Sequence, residues 1–214
     1  MNVEPTGTHT TTVTGAICQA ARMTGADFQY LLATAQVESN LNPNAQTPTS
    51  SARGAVPVHR ADLARDAERA GHSPGLRPYA NFISRQPSGD YWVSEPRMSG
   101  AVVILRSDPT ANSLMAGAST KANVGKLAAR LGRDPSEGEL YIAHFLGPTG
   151  ASRLIGLADT SPLTPAATVF PTAPIRRSST RGAATPAAPA RSIVFWSAAT
   201  MWRAADQRRR LPWP

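Results

Sequence analysis

The amino-acid sequence predicts a mainly α-helical protein, and three observations carry that prediction. Its 214 residues are 41% hydrophobic but only 6% aromatic, which is more typical of an alanine-rich helical core than of a β-sandwich. Apolar residues recur at helical spacing in several segments. Glycine or proline follows most of those segments as a stop signal. The length suits one or two domains of ~100–200 residues each.

Two helices are predicted near the N-terminus. Residues 1–14 are rich in threonine and are expected to form a flexible leader, after which a helix over 16–23 ends at Gly25. Asp27 is a suitable N-cap for a second helix, over about residues 28–40, because its carboxylate can accept a hydrogen bond from a free amide of the first turn. Four apolar residues have the spacing of one helix face: Phe28, Leu31, Leu32 and Ala35.

The middle of the chain combines a poorly patterned stretch with further helices. Residues 55–78 are atypical because several prolines interrupt them, although an amphipathic helix over 61–70 fits the pattern. Three helices are predicted after this stretch, over residues 98–106, 111–116 and 121–131.

A strong helix start follows at Asp134. Asp134 is the expected N-cap, with Pro135 at the first helical position and Glu137 at the third. The helix that begins there is expected to end at Gly147-Pro148. A further short helix is predicted over 150–158.

The net charge of +8 is concentrated in the C-terminal part of the chain. Residues 1–170 hold 14 Lys and Arg against 13 Asp and Glu, whereas residues 171–214 hold eight Arg against Asp206 alone. Because the body is nearly neutral, no nucleic acid is expected as a partner. Residues 172–214, rich in Arg, Ala and Pro, are expected to form a disordered tail. A DNA-binding tail is the alternative, and it predicts salt-sensitive DNA retardation that deleting the tail removes.

Signals of several other protein classes do not occur in this sequence. A single cysteine, Cys18, excludes a disulfide framework and a cysteine-based zinc site. The four histidines are dispersed and form no metal-binding motif, so no metal or cofactor is expected. The longest apolar run, residues 101–105, is far shorter than the ~20 residues of a membrane span. No signal peptide is visible at the N-terminus.

Glu38 is the carboxylate that stands out. On a helical wheel it lies about 20° beyond the edge of the apolar arc of the second predicted helix, near the end of that helix. Partial burial and the negative end of the helix dipole both disfavour the charged form, so its pKa is expected to be raised. A carboxylic acid that keeps its proton near neutral pH can protonate a leaving group. The alternative is a structural glutamate that bonds a neighbouring loop.

Several segments, taken in order, resemble one known family. Residues 35–45 read AQVESNLNPNA, residues 51–54 read SARG, and residues 139–147 read ELYIAHFLG. These segments resemble the Glu-Ser helix end, the Pro-x-Ala turn, the Ser-x-x-Gly loop and the substrate-lining helix of the lysozyme-like soluble lytic transglycosylases. The match is closest to an α-proteobacterial branch, which residues 106–109 and 131–135 also resemble. The similar blocks span roughly residues 15–54 and 84–171.

The resemblance implies a lysozyme-like helical domain over residues 15–171 that acts on bacterial peptidoglycan. Glu38 would be the catalytic acid, and then the base, in cleaving the bond between N-acetylmuramic acid and N-acetylglucosamine to a 1,6-anhydro product. Ser39 would orient the substrate, unless its hydroxyl bonds the preceding turn. Three residues would line the sugar cleft: Tyr141, His144 and Phe145. For His144 a packed core position is the alternative.

The implied mechanism agrees with the spacing of acidic residues. The next acid after Glu38 is Asp62, 24 residues later, so a mechanism with one carboxylate fits better than a glycosidase with two. The resemblance also implies glycan strands of peptidoglycan as the partner, and the periplasm or cell envelope as the location.

Two segments depart from the family pattern. Pro57 stands where the family has a glutamine, which removes a side-chain amide and a backbone N–H. The chain from residue 174 onward also loses the family pattern. A shift of reading frame would explain both departures, and a neighbouring frame of the gene would then contain the missing apolar-Gln segment. A non-catalytic lysozyme-like module that binds glycan within an envelope assembly is therefore the alternative function.

Overall fold

The computed structural model describes residues 6–46, 54–56, 63–71, 76–88 and 91–168, together with Ile193 and Ser197. Helices dominate these residues, so the prediction of a mainly α-helical protein is confirmed. The chain forms two compact units, Met1–Lys121 and Ala122–Pro214. Pro57 lies outside the described residues, as does most of the predicted tail. At the two described tail positions, the expectation of disorder is not met, because Ile193 and Ser197 are helical and buried.

The described part of the first unit consists of helices and one small sheet. Its helices are α1 (Thr6–Thr24), α2 (Phe28–Ser39), α3 (Leu63–Arg69), α4 (Arg77–Ala80), α5 (Pro96–Ile104), the one-turn 3-10 helix Leu105–Ser107, and the start of α6 (Pro109–Leu131). Strand β1 (Ile83–Arg85) pairs antiparallel with β2 (Tyr91–Val93), and Ile83 lies opposite Val93. Helix α3 falls within the atypical stretch, so the amphipathic helix predicted there is confirmed.

The middle of helix α2 is buried. The six consecutive residues from Tyr30 to Ala35 are buried, so this part of the helix is enclosed on every side rather than amphipathic as the wheel predicted. Asp27 is the N-cap, as predicted, and its carboxylate accepts a hydrogen bond of 2.7 Å from the Tyr30 amide. The buried Thr34 hydroxyl donates to the Tyr30 carbonyl oxygen at 2.9 Å, which satisfies that enclosed polar group. Helix α1 packs against α2.

The core of the first unit is built from small and branched apolar side chains. Its buried cluster includes Ala20, Leu63, Ala67, Leu76, Ile83, Val102, Leu105, Leu114 and Met115. Small residues also allow close approach between helices. A Cβ atom added to Gly117 of α6 would lie 2.6 Å from the Thr24 hydroxyl oxygen of α1. The alanine-rich composition thus provides close packing between helices, in place of large side chains.

The second unit contains the rest of α6, helix α7 (Glu137–Thr160) and the 3-10 helix Ala166–Thr168. Gly147 interrupts α7 with a φ of 67° and a ψ of 167°, and Pro148 follows it. The predicted break at Gly147-Pro148 is therefore confirmed, although the chain returns to helix immediately. The large buried side chains of this unit include Leu127, Tyr141, Ile142, Leu154 and Ile155.

Two helices are longer than the sequence pattern predicted. Helix α1 begins at Thr6, so residues 6–14 are helical and not part of a loose leader. Val13 and Ile17 lie one turn apart and are fully buried, so packing outweighs the modest helix propensity of threonine. Helix α6 is continuous where two separate helices were expected, over 111–116 and 121–131.

Candidate active site

Glu38 lies half-buried in the last turn of α2. The helix ends there because Asn40 and Leu41 both adopt left-handed backbone conformations, with φ of 52° and 60°. Their amides bond back to the helix, Asn40 to the Gln36 carbonyl oxygen at 3.1 Å and Leu41 to that of Ala35 at 3.2 Å. Leu41 is also buried. A buried helix before Glu38 and a hydrogen-bonded turn after it therefore fix the position of its backbone.

Ser39 joins the end of α2 to a distant turn. Its hydroxyl lies 2.9 Å from the Ala35 carbonyl oxygen and 2.7 Å from the Ala55 carbonyl oxygen. The contact with Ala35 is the bond to the preceding turn that was considered as the structural alternative. The contact with Ala55 attaches residues 54–56 to the helix end that carries Glu38. The role of Ser39 in orienting substrate stays a prediction.

The turn at residues 54–56 is held from several directions. The Gly54 amide donates to the Ala45 carbonyl oxygen at 3.2 Å. The Val56 amide donates to Oδ1 of Asn112 at 3.0 Å, and Nδ2 of Asn112 donates to the Val56 carbonyl oxygen at 3.0 Å. Sequence reasoning missed Asn112, because a contact across 56 positions leaves no local pattern. Residues 51–53 of the family-like motif lie outside the described residues.

Gly54 occupies a place that admits no side chain. Its φ is 98°, a conformation that L-residues rarely adopt. A Cβ atom at this position would lie 2.5 Å from the Arg106 carbonyl oxygen and even closer to the Asn112 side-chain amide. The glycine of the Ser-x-x-Gly segment is therefore required by both the backbone conformation and the close packing of the turn.

Tyr141, His144 and Phe145 form an aromatic cluster in the second unit. The Phe145 ring meets the Tyr141 ring edge to face, with centroids 5.0 Å apart and an interplanar angle of 86°. The centroid of the His144 ring also lies 5.0 Å from that of Phe145, at 83°. Phe145 is 45% exposed, whereas Tyr141 is only 2% exposed. Phe145 therefore presents a ring surface to solvent, and Tyr141 supports it from the core.

The segment before this cluster shows a well-formed helix start. Ser136, not the predicted Asp134, is the N-cap of α7, because Glu139 completes a capping box with it. Glu139 also forms a two-point ion pair with Arg133, with distances of 2.9 Å and 2.6 Å. The hydrogen bond from Arg133 is the main reason that the pKa of the Glu139 carboxyl lies below its ordinary value. Burial opposes this shift, and bonds from Ser136 add to it.

We expect Glu139→Gln to destabilise the protein by about 1 kcal/mol at neutral pH, since glutamine can keep the capping bond to the Ser136 amide but loses the charge that pairs with Arg133, a side chain that is half exposed. Because the folded-state pKa of Glu139 is lowered, its stabilisation is present above the ordinary glutamate pKa of about 4.3 and is lost as pH falls through the folded value. Urea unfolding of both proteins from neutral to acid pH measures this. The two stabilities should converge in acid, and a constant difference would contradict the prediction. Glu137→Gln, an exposed first-turn acid of the same helix, is the control.

An apolar cleft of about 410 Å³ also opens in the first unit. It is lined by α4, α5 and α6 residues that include Tyr79, Ile104 and Leu114. Neither Glu38 nor Ser39 lines it.

The two groups of predicted site residues lie in different units. Glu38 and Ser39 are adjacent in the first unit, and Tyr141, His144 and Phe145 are together in the second. Among the described residues, no three His, Cys, Asp or Glu side chains are grouped so that they could hold a metal ion. In the same part of the chain no helix has the length and apolar character needed to cross a membrane. No family model matches this sequence.

Proposed function

We propose that this protein is a peptidoglycan lytic transglycosylase and that Glu38 is its acid and base. The observation that carries the proposal is the structure around Glu38: a half-buried carboxylate closes a buried helix, and the next residue, Ser39, attaches the family-like Gly54 turn to that helix end. The arrangement brings together two sequence segments that resemble the transglycosylase motif.

The other described acids of the first unit support the choice of Glu38. Asp27 and Asp108 accept hydrogen bonds from backbone amides at the starts of α2 and α6. Asp66 is buried against the arginines of its own helix. The remaining two, Glu68 and Glu95, are exposed. Glu38 is neither a helix cap nor exposed, and this position suits a group that must meet its substrate away from bulk water.

The proposed reaction needs one carboxyl group and no water. Glu38 protonates the oxygen that joins N-acetylmuramic acid to N-acetylglucosamine, and the bond from that oxygen to C1 of the muramic sugar breaks. The resulting carboxylate then removes the proton from the C6 hydroxyl of the same sugar as its oxygen bonds to C1. Glu38 thereby regains its proton, and the product carries a 1,6-anhydro ring.

Four further residues are proposed to contact the glycan: Ser39, Tyr141, His144 and Phe145. Exposed Phe145 is the best placed of these for packing against the apolar face of a sugar ring, because its own ring is open to solvent. The proposal implies action in the periplasm or cell envelope, where the glycan strands are. It requires no cofactor.

Digestion of purified sacculi in heavy-oxygen water tests the proposal. The protein should release anhydro-muropeptides that are lighter by one water than hydrolysis products and that contain no heavy oxygen, as mass spectrometry would show. Labelled reducing ends would instead identify a hydrolase. Sedimentation of the protein with sacculi, without release of any fragment, would overturn catalysis and support the non-catalytic glycan-binding module.

A further inference from the structure

We propose that Asn112 is a positioning residue for Glu38, acting through the peptide bond between Ala55 and Val56. This inference rests on the proposed function for its effect on catalysis, whereas the structural coupling that it describes can be measured without any activity. Asn112 lies in the first turns of α6, far from Glu38 in the sequence. One connection between them runs through three groups: the Asn112 side chain, the Ala55–Val56 peptide and the Ser39 hydroxyl.

The Asn112 side chain is specific for the group that it holds. It is 1% exposed, and its oxygen accepts from the Val56 amide while its nitrogen donates to the Val56 carbonyl oxygen. An amide supplies one acceptor and one donor at this spacing, which an ionised carboxylate or an apolar side chain cannot. Because the site is buried, either group of Val56 left without its partner would cost free energy.

The peptide unit between Ala55 and Val56 connects the Asn112 side chain to the end of α2. The Val56 N–H bonded to Asn112 and the Ala55 carbonyl bonded to Ser39 belong to the same planar peptide unit. Because the unit is planar, a rotation of the peptide moves the Val56 N–H and the Ala55 carbonyl oxygen together, and it disturbs both hydrogen bonds. The Ser39 hydroxyl also meets the Ala35 carbonyl oxygen of its own helix, but its link to the Gly54 turn through Ala55 depends on Asn112 holding the opposite edge of that peptide.

The first turn of α6, which carries Asn112, is itself held by hydrogen bonds. The backbone amide of Asn112 donates to the Asp108 carbonyl oxygen at 2.9 Å, and the Asp108 carboxylate accepts from the backbone amide of Ala111 at 2.7 Å. These bonds close the first turn of α6, so the backbone that carries Asn112 has little freedom. The helix end that carries Ser39 and Glu38 is thus held by hydrogen bonds to α6 as well as by its own helix. Displacement of a catalytic group by about 1 Å can cost ~10²-fold in rate.

The test compares Asn112→Ala with a matched control, Ser113→Ala. Ser113 is the next residue and is equally buried, but its hydroxyl has no hydrogen-bond partner among the residues that the structure describes, so its removal breaks no bond seen there. We expect Asn112→Ala to lower kcat for sacculus cleavage by about 10–10²-fold with little change in KM, and Ser113→Ala to leave both unchanged. Amide NMR signals of Glu38 and Ser39 should shift in the first variant and stay in place in the second.

Asn112→Asp provides a second and sharper readout. An ionised carboxylate repels the Val56 carbonyl oxygen, whereas a protonated one has the shape of the amide and restores its donor. The ratio of the Asn112→Asp rate to the wild-type rate should therefore rise as pH falls. The same variant serves if Asn112→Ala fails to fold.

The outcomes separate this inference from the proposed function. If the wild type cleaves glycan, unchanged kcat in Asn112→Ala, or a pH-independent rate ratio in Asn112→Asp, overturns the positioning role. If the wild type cleaves nothing, the proposed function fails. Shifted Glu38 and Ser39 signals in the Asn112 variants would then still support the coupling, and unshifted signals would overturn it.

Discussion

Glu38→Gln is expected to reduce the release of anhydro-muropeptides from sacculi by about 10²–10⁴-fold, the usual contribution of general acid–base catalysis. Glutamine has nearly the shape of glutamic acid, but it can neither give a proton to the glycosidic oxygen nor take one from the C6 hydroxyl. Because the proposed reaction uses Glu38 in both roles, the loss should fall on kcat, and KM for glycan strands should stay near the wild-type value. Rates measured on sacculi over a range of concentrations separate the two parameters.

Glu95→Gln is the matched control for this experiment. Glu95 precedes α5 in the same unit, is exposed, and makes no side-chain hydrogen bond as a cap. The identical chemical change there should leave the rate unaltered. Equal rates for Glu38→Gln and the wild type would show that Glu38 is not the catalytic acid, and the transglycosylase proposal would then lose its central residue.

The parts of the fold that the sequence predicted well are those with local causes. The N-cap at Asp27, the turn after Asn40 and the break at Gly147 each depend on residues within one helical turn, and each was found. The prediction did not extend α1 back to Thr6, because that extension depends on the burial of Val13 against other helices. Such packing is long-range and overrides propensity.

In the candidate site, too, the features with local causes were predictable from the sequence and the long-range contacts were not. Glu38 was identified from its place near the end of one helix, and the structure shows it there, half-buried. The clamp from Asn112 joins residues 56 positions apart, so neither periodicity nor spacing could indicate it. The sequence pattern indicates Asp134 as the N-cap of α7, which is wrong, since Asp134 and Ser136 are both good capping residues. The reciprocal bond from Glu139 decides between them.

Gly54→Ala is expected to lower the free energy of unfolding and to disturb the site at the same time. The left-handed backbone with φ of 98° costs an alanine ~1–3 kcal/mol. The added Cβ atom, placed 2.5 Å from the Arg106 carbonyl oxygen, adds ~1–3 kcal/mol of overpacking. The Arg106 carbonyl is backbone, so it cannot move aside cheaply, and the turn must shift away from Asn112 instead. Urea unfolding of the full chain measures the loss.

Gly100→Ala distinguishes this local effect from the general effect of replacing a glycine. Gly100 lies inside helix α5, and a Cβ atom added there would meet nothing within 4 Å. Alanine should stabilise that position by about 0.5–1 kcal/mol, because it reduces the freedom of the unfolded chain. The free energy of unfolding is therefore expected to fall in Gly54→Ala and to rise in Gly100→Ala. If Gly54→Ala stabilised the protein, residues 54–56 would not form the turn that Asn112 holds. The structural support that this turn gives to the end of α2 at Glu38 would then be refuted as well.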